Sequence, residues 1–141
     1  MGENLGSCYI RRWHGLSYLV DILRGLIVLR PKILTGPTVK KITGCGNIFV
    51  TINRDPENER PIEVITRLGK SGGCTKCQHE ALTRTITLGL KYGVPLKDFA
   101  DELQHLKCPS PNMFPRDERT LSCADALASA LKESMDDIPS T

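Results

Sequence analysis

Between Pro61 and Leu90 the hydrophobic period of the chain changes, and the change falls on a run of glycines. Ile62, Val64 and Thr66 alternate with Glu63, Ile65 and Arg67, the spacing that sends successive side chains to opposite faces of a strand. Leu82, Ile86 and Leu90 then recur at helical spacing, flanked by a small-residue row of Ala81, Thr85 and Gly89, which predicts a helix lying close on a sheet. The joint is Gly69-Lys70-Ser71-Gly72-Gly73-Cys74. Glycines there allow positive φ, so several amides can converge on one point. The helix start behind them adds partial positive charge and free donors. Arg67, Lys70, Ser71, Gly72, Gly73 and Cys74 are therefore candidate residues for an anion or a nucleotide phosphate. The order is not that of a Walker loop, because Lys-Ser precedes Gly-Gly. The plain alternative is a tight strand-to-helix connection.

Upstream, Thr38 to Thr43 reads as a short strand broken by Gly44-Cys45-Gly46, and Asn47 to Asn53 alternates again. Arg54 to Arg60 is polar and contains Pro56, which suits a hairpin loop. Downstream, Tyr92-Gly93-Val94-Pro95 stops the first helix. Leu96, Phe99, Ala100, Leu103 and Leu106 mark a second, with His105 on it. Ser122-Cys123-Ala124-Asp125 opens a third. Strands come first and helices after them, so the expected class is α+β: an antiparallel sheet of about three strands covered by about three helices. Leu16 to Leu29 is apolar but interrupted by Asp21 and Arg24. It predicts an amphipathic helix in an N-terminal extension, residues 1–29, and no stable membrane insertion. Residues 30–135 form the expected domain, and 136–141 a frayed tail.

The net charge of +3 on 141 residues permits an anionic ligand without demanding nucleic acid. Six cysteines in a chain with ample apolar residues read as reduced thiols in a cytoplasm. Cys45, Cys74, Cys108 and Cys123 each sit at an element boundary, where four ends could meet around one ion, with zinc the candidate. Cys74 and Cys77 form a Cys-x-x-Cys pair at a helix start, where the dipole favours a thiolate and redox chemistry. Packing of free thiols as small hydrophobes is the alternative. No serine, carboxylate and histidine set has the spacing for hydrolysis, and no catalytic residue is assigned. Asp55, Glu57 and Glu59 do not match a calcium loop.

Thr43-Gly44-Cys45-Gly46-Asn47, Val50-Thr51-Ile52-Asn53, Gly69 to Cys74, Cys108-Pro109 and Ser122-Cys123-Ala124-Asp125-Ala126 resemble, in the same order, the TSCPD domain. That domain lies near the C-terminus of adenosylcobalamin-dependent (class II) ribonucleotide reductases and in small stand-alone relatives. The resemblance spans roughly residues 30 to 133. A chain of 141 residues has no room for the catalytic barrel, and the cobalamin site and radical cysteines belong there. The resemblance therefore implies an accessory or regulatory module of the reductase system, which supplies DNA precursors, with the catalytic chain or a nucleotide as partner. Adenosylcobalamin would reside in that catalytic chain. A stand-alone homo-oligomer holding a nucleotide-type ligand, and a thiol-redox partner acting through Cys74 and Cys77, remain open beside it. Cys77 is an addition to the family pattern.

Overall fold

The structure is a computed structural model and describes residues 30–68 and 73–136. The expectations for residues 1–29, for Gly69 to Gly72 and for the tail after Asp136 lie outside the described residues. Three strands, β1 (Thr38–Thr43), β2 (Gly46–Arg54) and β3 (Pro61–Leu68), form an antiparallel sheet in the order β1-β2-β3. The helices are α1 (Cys74–Lys91), α2 (Leu96–Leu103) and α3 (Cys123–Asp136), with a short 3-10 turn at Arg116–Glu118. The fold is the expected α+β. Among the described residues no helix is long and apolar enough to cross a membrane.

One face of the sheet carries Ile48, Val50, Ile52, Val64 and Leu68, all buried. Helix α1 runs against β3, α3 crosses β1 and β2, and α2 packs on α3. Ile86, Leu90, Leu96, Ala100, Ala126, Leu127, Ala130 and Leu131 complete an aliphatic core. Full burial of each large side chain contributes about 1.5–3 kcal/mol, so the helical cover is what makes the sheet stable. Across this interface Lys41 reaches Glu133 at 2.5 Å, and the Arg54 guanidinium donates to the Ser134 carbonyl. The opposite face is open among the described residues, where Phe49 and Ile65 are each 39% exposed.

Three local expectations need correction. The buried stripe of α1 is His79, Thr83, Ile86 and Leu90, while Ala81 and Thr85 are exposed. Thr83 can face inward because its hydroxyl donates to the His79 carbonyl at 3.0 Å, satisfying it within the helix. Of the small-residue row, Gly89 makes a close approach, but to the second helix and not to the sheet: a Cβ there would lie 2.4 Å from Phe99 Cζ.

The second helix ends at Leu103, earlier than its apolar spacing predicts, and His105 is an exposed residue at φ 64° outside it. The His105 N–H donates to Asp125 Oδ1 at 2.6 Å, which turns the chain toward the start of α3. The cap of α3 is also displaced. Ser122 Oγ accepts from the Asp125 N–H at 3.1 Å, but Asp125 Oδ2 returns to the N–H of Leu121 at 2.9 Å. A side chain shorter than Glu thus serves the neighbouring amide.

Candidate functional site

Strand β3 lies at the edge of the sheet, and α1 is set against it. Together they border a cleft of about 820 Å³, within the range of small-molecule sites. Its lining includes Thr66 and Arg67 from β3 and Lys76, Glu80, Arg84 and Lys91 from α1. Lys76, Glu80, Thr87 and Lys91 lie four or seven residues apart along α1, a polar stripe beside the buried one to which Thr83 belongs.

The charges do not cancel. Glu80 is engaged by Arg84 at 2.7 Å. Glu63 accepts from Arg30 at 2.8 Å and from Asn53 Nδ2 at 2.7 Å. The Arg30 hydrogen bond holds the Glu63 carboxyl below its usual range, against the opposing effect of partial burial, with Asn53 and Lys91 adding to the depression. Among the described residues Arg67, Lys76 and Lys91 form no ion pair. Both carboxylates in the lining are thus engaged and three cations are left over. The Thr66 hydroxyl, also in the lining, is buried with no hydrogen-bond partner, an arrangement that calls for explanation.

Of the sequence-predicted anion residues, Arg67 lies in this lining. Gly73 adopts φ 85° and leads into α1, its carbonyl accepting from the Cys77 N–H at 3.2 Å. Cys74 is exposed at the first position of the helix. Lys70, Ser71 and Gly72 are outside the described residues. Lys76 and Lys91 were missed, although their helical spacing was legible. Arg67 also stands in register with Phe49, which lies opposite Lys40, so the open face carries an aromatic ring between two cations.

The cysteines gather at one end of the sheet. Cys45 is at the tip of the β1–β2 hairpin, exposed, and Cys123 is the buried first residue of α3. Both lean on Thr43: its hydroxyl accepts from the Cys45 N–H at 3.2 Å and from the Cys123 thiol at 3.4 Å, and donates to the Gly46 carbonyl at 2.8 Å. The neighbouring Cys123 thiol pushes the pKa of Cys45 up, and desolvation and the nearby Cys108 thiol add to the rise. Cys108 is half-buried, and its N–H donates to the Leu121 carbonyl at 3.1 Å.

Two further contacts lock the same corner. Thr120 Oγ1 donates to the Ile42 carbonyl at 2.8 Å. A Cβ on Gly44 would lie 1.9 Å from the Ser110 carbonyl oxygen, so the hairpin tip is pressed onto the 108–112 segment. Cys77 is exposed on α1 beyond this corner. Among the described residues no three His, Cys, Asp or Glu side chains are grouped so that they could hold a metal ion. His79 is 7% exposed with an unpartnered Nδ1, and burial lowers its pKa.

Comparison with known proteins supplies the wider setting. The major tegument protein of Epstein-Barr virus (strain GD1) is 32% identical over 82 residues, which are 52% of this chain and 6% of the viral protein. The chain thus spans a small part of that relative's length. No solved structure matches. The TSCPD domain matches residues 18–135, beginning upstream of the resemblance read from the motifs. With most of its length matched, the chain belongs to the TSCPD domain family, which is known from ribonucleotide reductases.

Proposed function

We propose that this chain is an accessory module of a ribonucleotide reductase system and that it binds a nucleotide in the cleft between β3 and α1. The observation that carries this reading is the surplus of cation: Arg67, Lys76 and Lys91 border a cleft whose two carboxylates are already engaged. Phosphate oxygens would take charge-assisted hydrogen bonds from these three groups. Lys70 and Ser71 follow Arg67 closely in sequence and extend the same cationic, hydrogen-bonding character. No catalytic role is assigned to these residues. Radical chemistry and adenosylcobalamin belong to the separate catalytic chain.

The test is titration of the full chain with a nucleoside triphosphate, followed by amide chemical shifts. Movement of Arg67, Lys76 and Lys91 and its loss in the double variant R67E/K76E are expected. Unmoved signals at millimolar nucleotide would overturn the proposal.

A second reading concerns the open sheet face. Phe49 and Ile65 are exposed there, with Lys40 and Arg67 in register on either side of the ring. Aromatic and arginine side chains are favoured at protein interfaces, so this face would receive the reductase catalytic chain. Capture of that chain by the wild type, and its loss in Phe49→Asp, is the expected result. Equal capture by both would count against it.

A further inference from the structure

Three separate segments deliver a cysteine to one corner of the fold. The β1–β2 hairpin brings Cys45, the segment after α2 brings Cys108, and the start of α3 brings Cys123. Their meeting is enforced by contacts that do not involve the thiols. Gly44 packs on the Ser110 backbone, the Cys108 N–H bonds the Leu121 carbonyl, and Thr120 Oγ1 bonds the Ile42 carbonyl. Thr43 then positions two of the three directly, through the Cys45 N–H and the Cys123 thiol. Free thiols packed as small hydrophobes would be buried, yet Cys45 is exposed and Cys108 only half-buried.

Cys74 begins α1 at the end of the sheet where β3 finishes, since Leu68 pairs with Ile48, two residues from the hairpin glycine Gly46. It too is exposed, next to Gly73 at positive φ. Four thiols with these positions suit a thiophilic divalent ion, which prefers four soft ligands in a tetrahedron.

We propose that Cys45, Cys108 and Cys123, closed by Cys74, bind one zinc ion at the hairpin end of the sheet. On binding, each thiol loses its proton to solvent, so one dication is exchanged for four protons and no electron moves. The four-thiol cage is not formed in this fold, where no three His, Cys, Asp or Glu side chains among the described residues are grouped to hold an ion. Its two exposed members, Cys45 at a hairpin tip and Cys74 at a helix start, are the ones that draw in around the ion. Such a site would tie β1, β2, α1 and α3 together at one end. It stands independently of the nucleotide reading, because none of its ligands lines the cleft between β3 and α1.

The experiment is metal analysis of the full chain purified without a histidine tag and reconstituted with zinc under reducing conditions. About one equivalent is expected. Replacement of zinc by cobalt should give thiolate-to-cobalt charge-transfer bands and the visible spectrum of a tetrahedral site. Cys45→Ser and Cys74→Ser should each weaken retention against a chelator, whereas Cys77→Ser should retain the ion as the wild type does. Because Cys123 is buried and its replacement can unfold the chain, the two exposed positions carry the test, with circular dichroism showing that each variant folds. Three outcomes would overturn the proposal: zinc below about a tenth of an equivalent after reconstitution, retention unaffected by C45S or C74S, or recovery of Cys45 and Cys123 as a disulfide.

Discussion

The Thr87 hydroxyl on α1 accepts from the backbone N–H of Val64 at 3.0 Å and lies 3.2 Å from the carbonyl of the same residue, to which it donates. Val64 belongs to the edge strand, so one side chain occupies both of its outward backbone groups. This explains why a threonine is tolerated in a helix interior that its intrinsic propensity disfavours. It also blunts an edge that could otherwise pair with another strand.

Thr87→Val keeps the shape and removes the hydroxyl, leaving a partly buried amide and carbonyl without partners. The expected loss is about 1–3 kcal/mol in denaturant unfolding. Greater self-association at high concentration, read by light scattering, should accompany it.

At the hairpin tip, Gly44→Ala places a methyl group 1.9 Å from the Ser110 carbonyl oxygen. Backbone cannot rotate away as a side chain does, so the hairpin and the 108–112 segment must separate. Destabilisation of about 1–3 kcal/mol is expected from the overpacking. Gly46 has open space around it, but its φ of 116° makes Gly46→Ala a test of backbone strain instead. Thermal melts of the two variants distinguish steric from conformational cost.

Acid should weaken the Arg30–Glu63 contact. Glu63 is held below its ordinary pKa by Arg30, so the folded state binds its proton less readily than the unfolded state does. Its contribution is present above the unfolded value of about 4.3 and is lost as pH falls through the lower folded value. Glu63→Gln should flatten the acid limb of a stability–pH curve below about pH 5. An unchanged limb would show that the pair contributes nothing measurable.

His79 acts in a different window. Burial lowers its pKa, so the neutral ring is favoured in the folded state and the unfolded chain takes up the proton first. Stability is complete above the unfolded value of about 6.5 and declines as pH falls through it toward the folded value. His79→Leu should remove the slope between about pH 7 and 5. It should leave stability at neutral pH unchanged or raised, because an unpartnered buried nitrogen disappears with the ring.

The sheet was readable because its alternation is regular: Ile48, Val50 and Ile52 on one side, Phe49 and Thr51 on the other, and β3 begins and ends where Pro61 and Leu68 predict. The stop at Gly93 was equally plain, and the glycine has φ 83° there. What escaped were polar residues that satisfy themselves locally. Thr83 and His79 turn inward on α1 although hydropathy alone would send them out, since the Thr83 hydroxyl finds a carbonyl on its own helix. The cleft escaped for a related reason. Arg67 was singled out for its place before the glycines, but its surplus charge depends on Arg30 reaching Glu63, a contact between residues far apart in the chain. The gathering of cysteines at element ends was legible as boundary positions, and the placing of Cys45 beside Cys123 required Thr43.

The stretch from Gln104 to Ser122 contains only a single 3-10 turn and would pass for an ordinary surface connection. Its pinning at Ser110, Asn112, Thr120 and Leu121 gives it a different character. A protease needs several residues of backbone to lift free before it can cut, and here they are fastened at short intervals. Trypsin should therefore be slow at Arg116 and Arg119, and the helices on either side would survive a brief digestion as one undivided fragment.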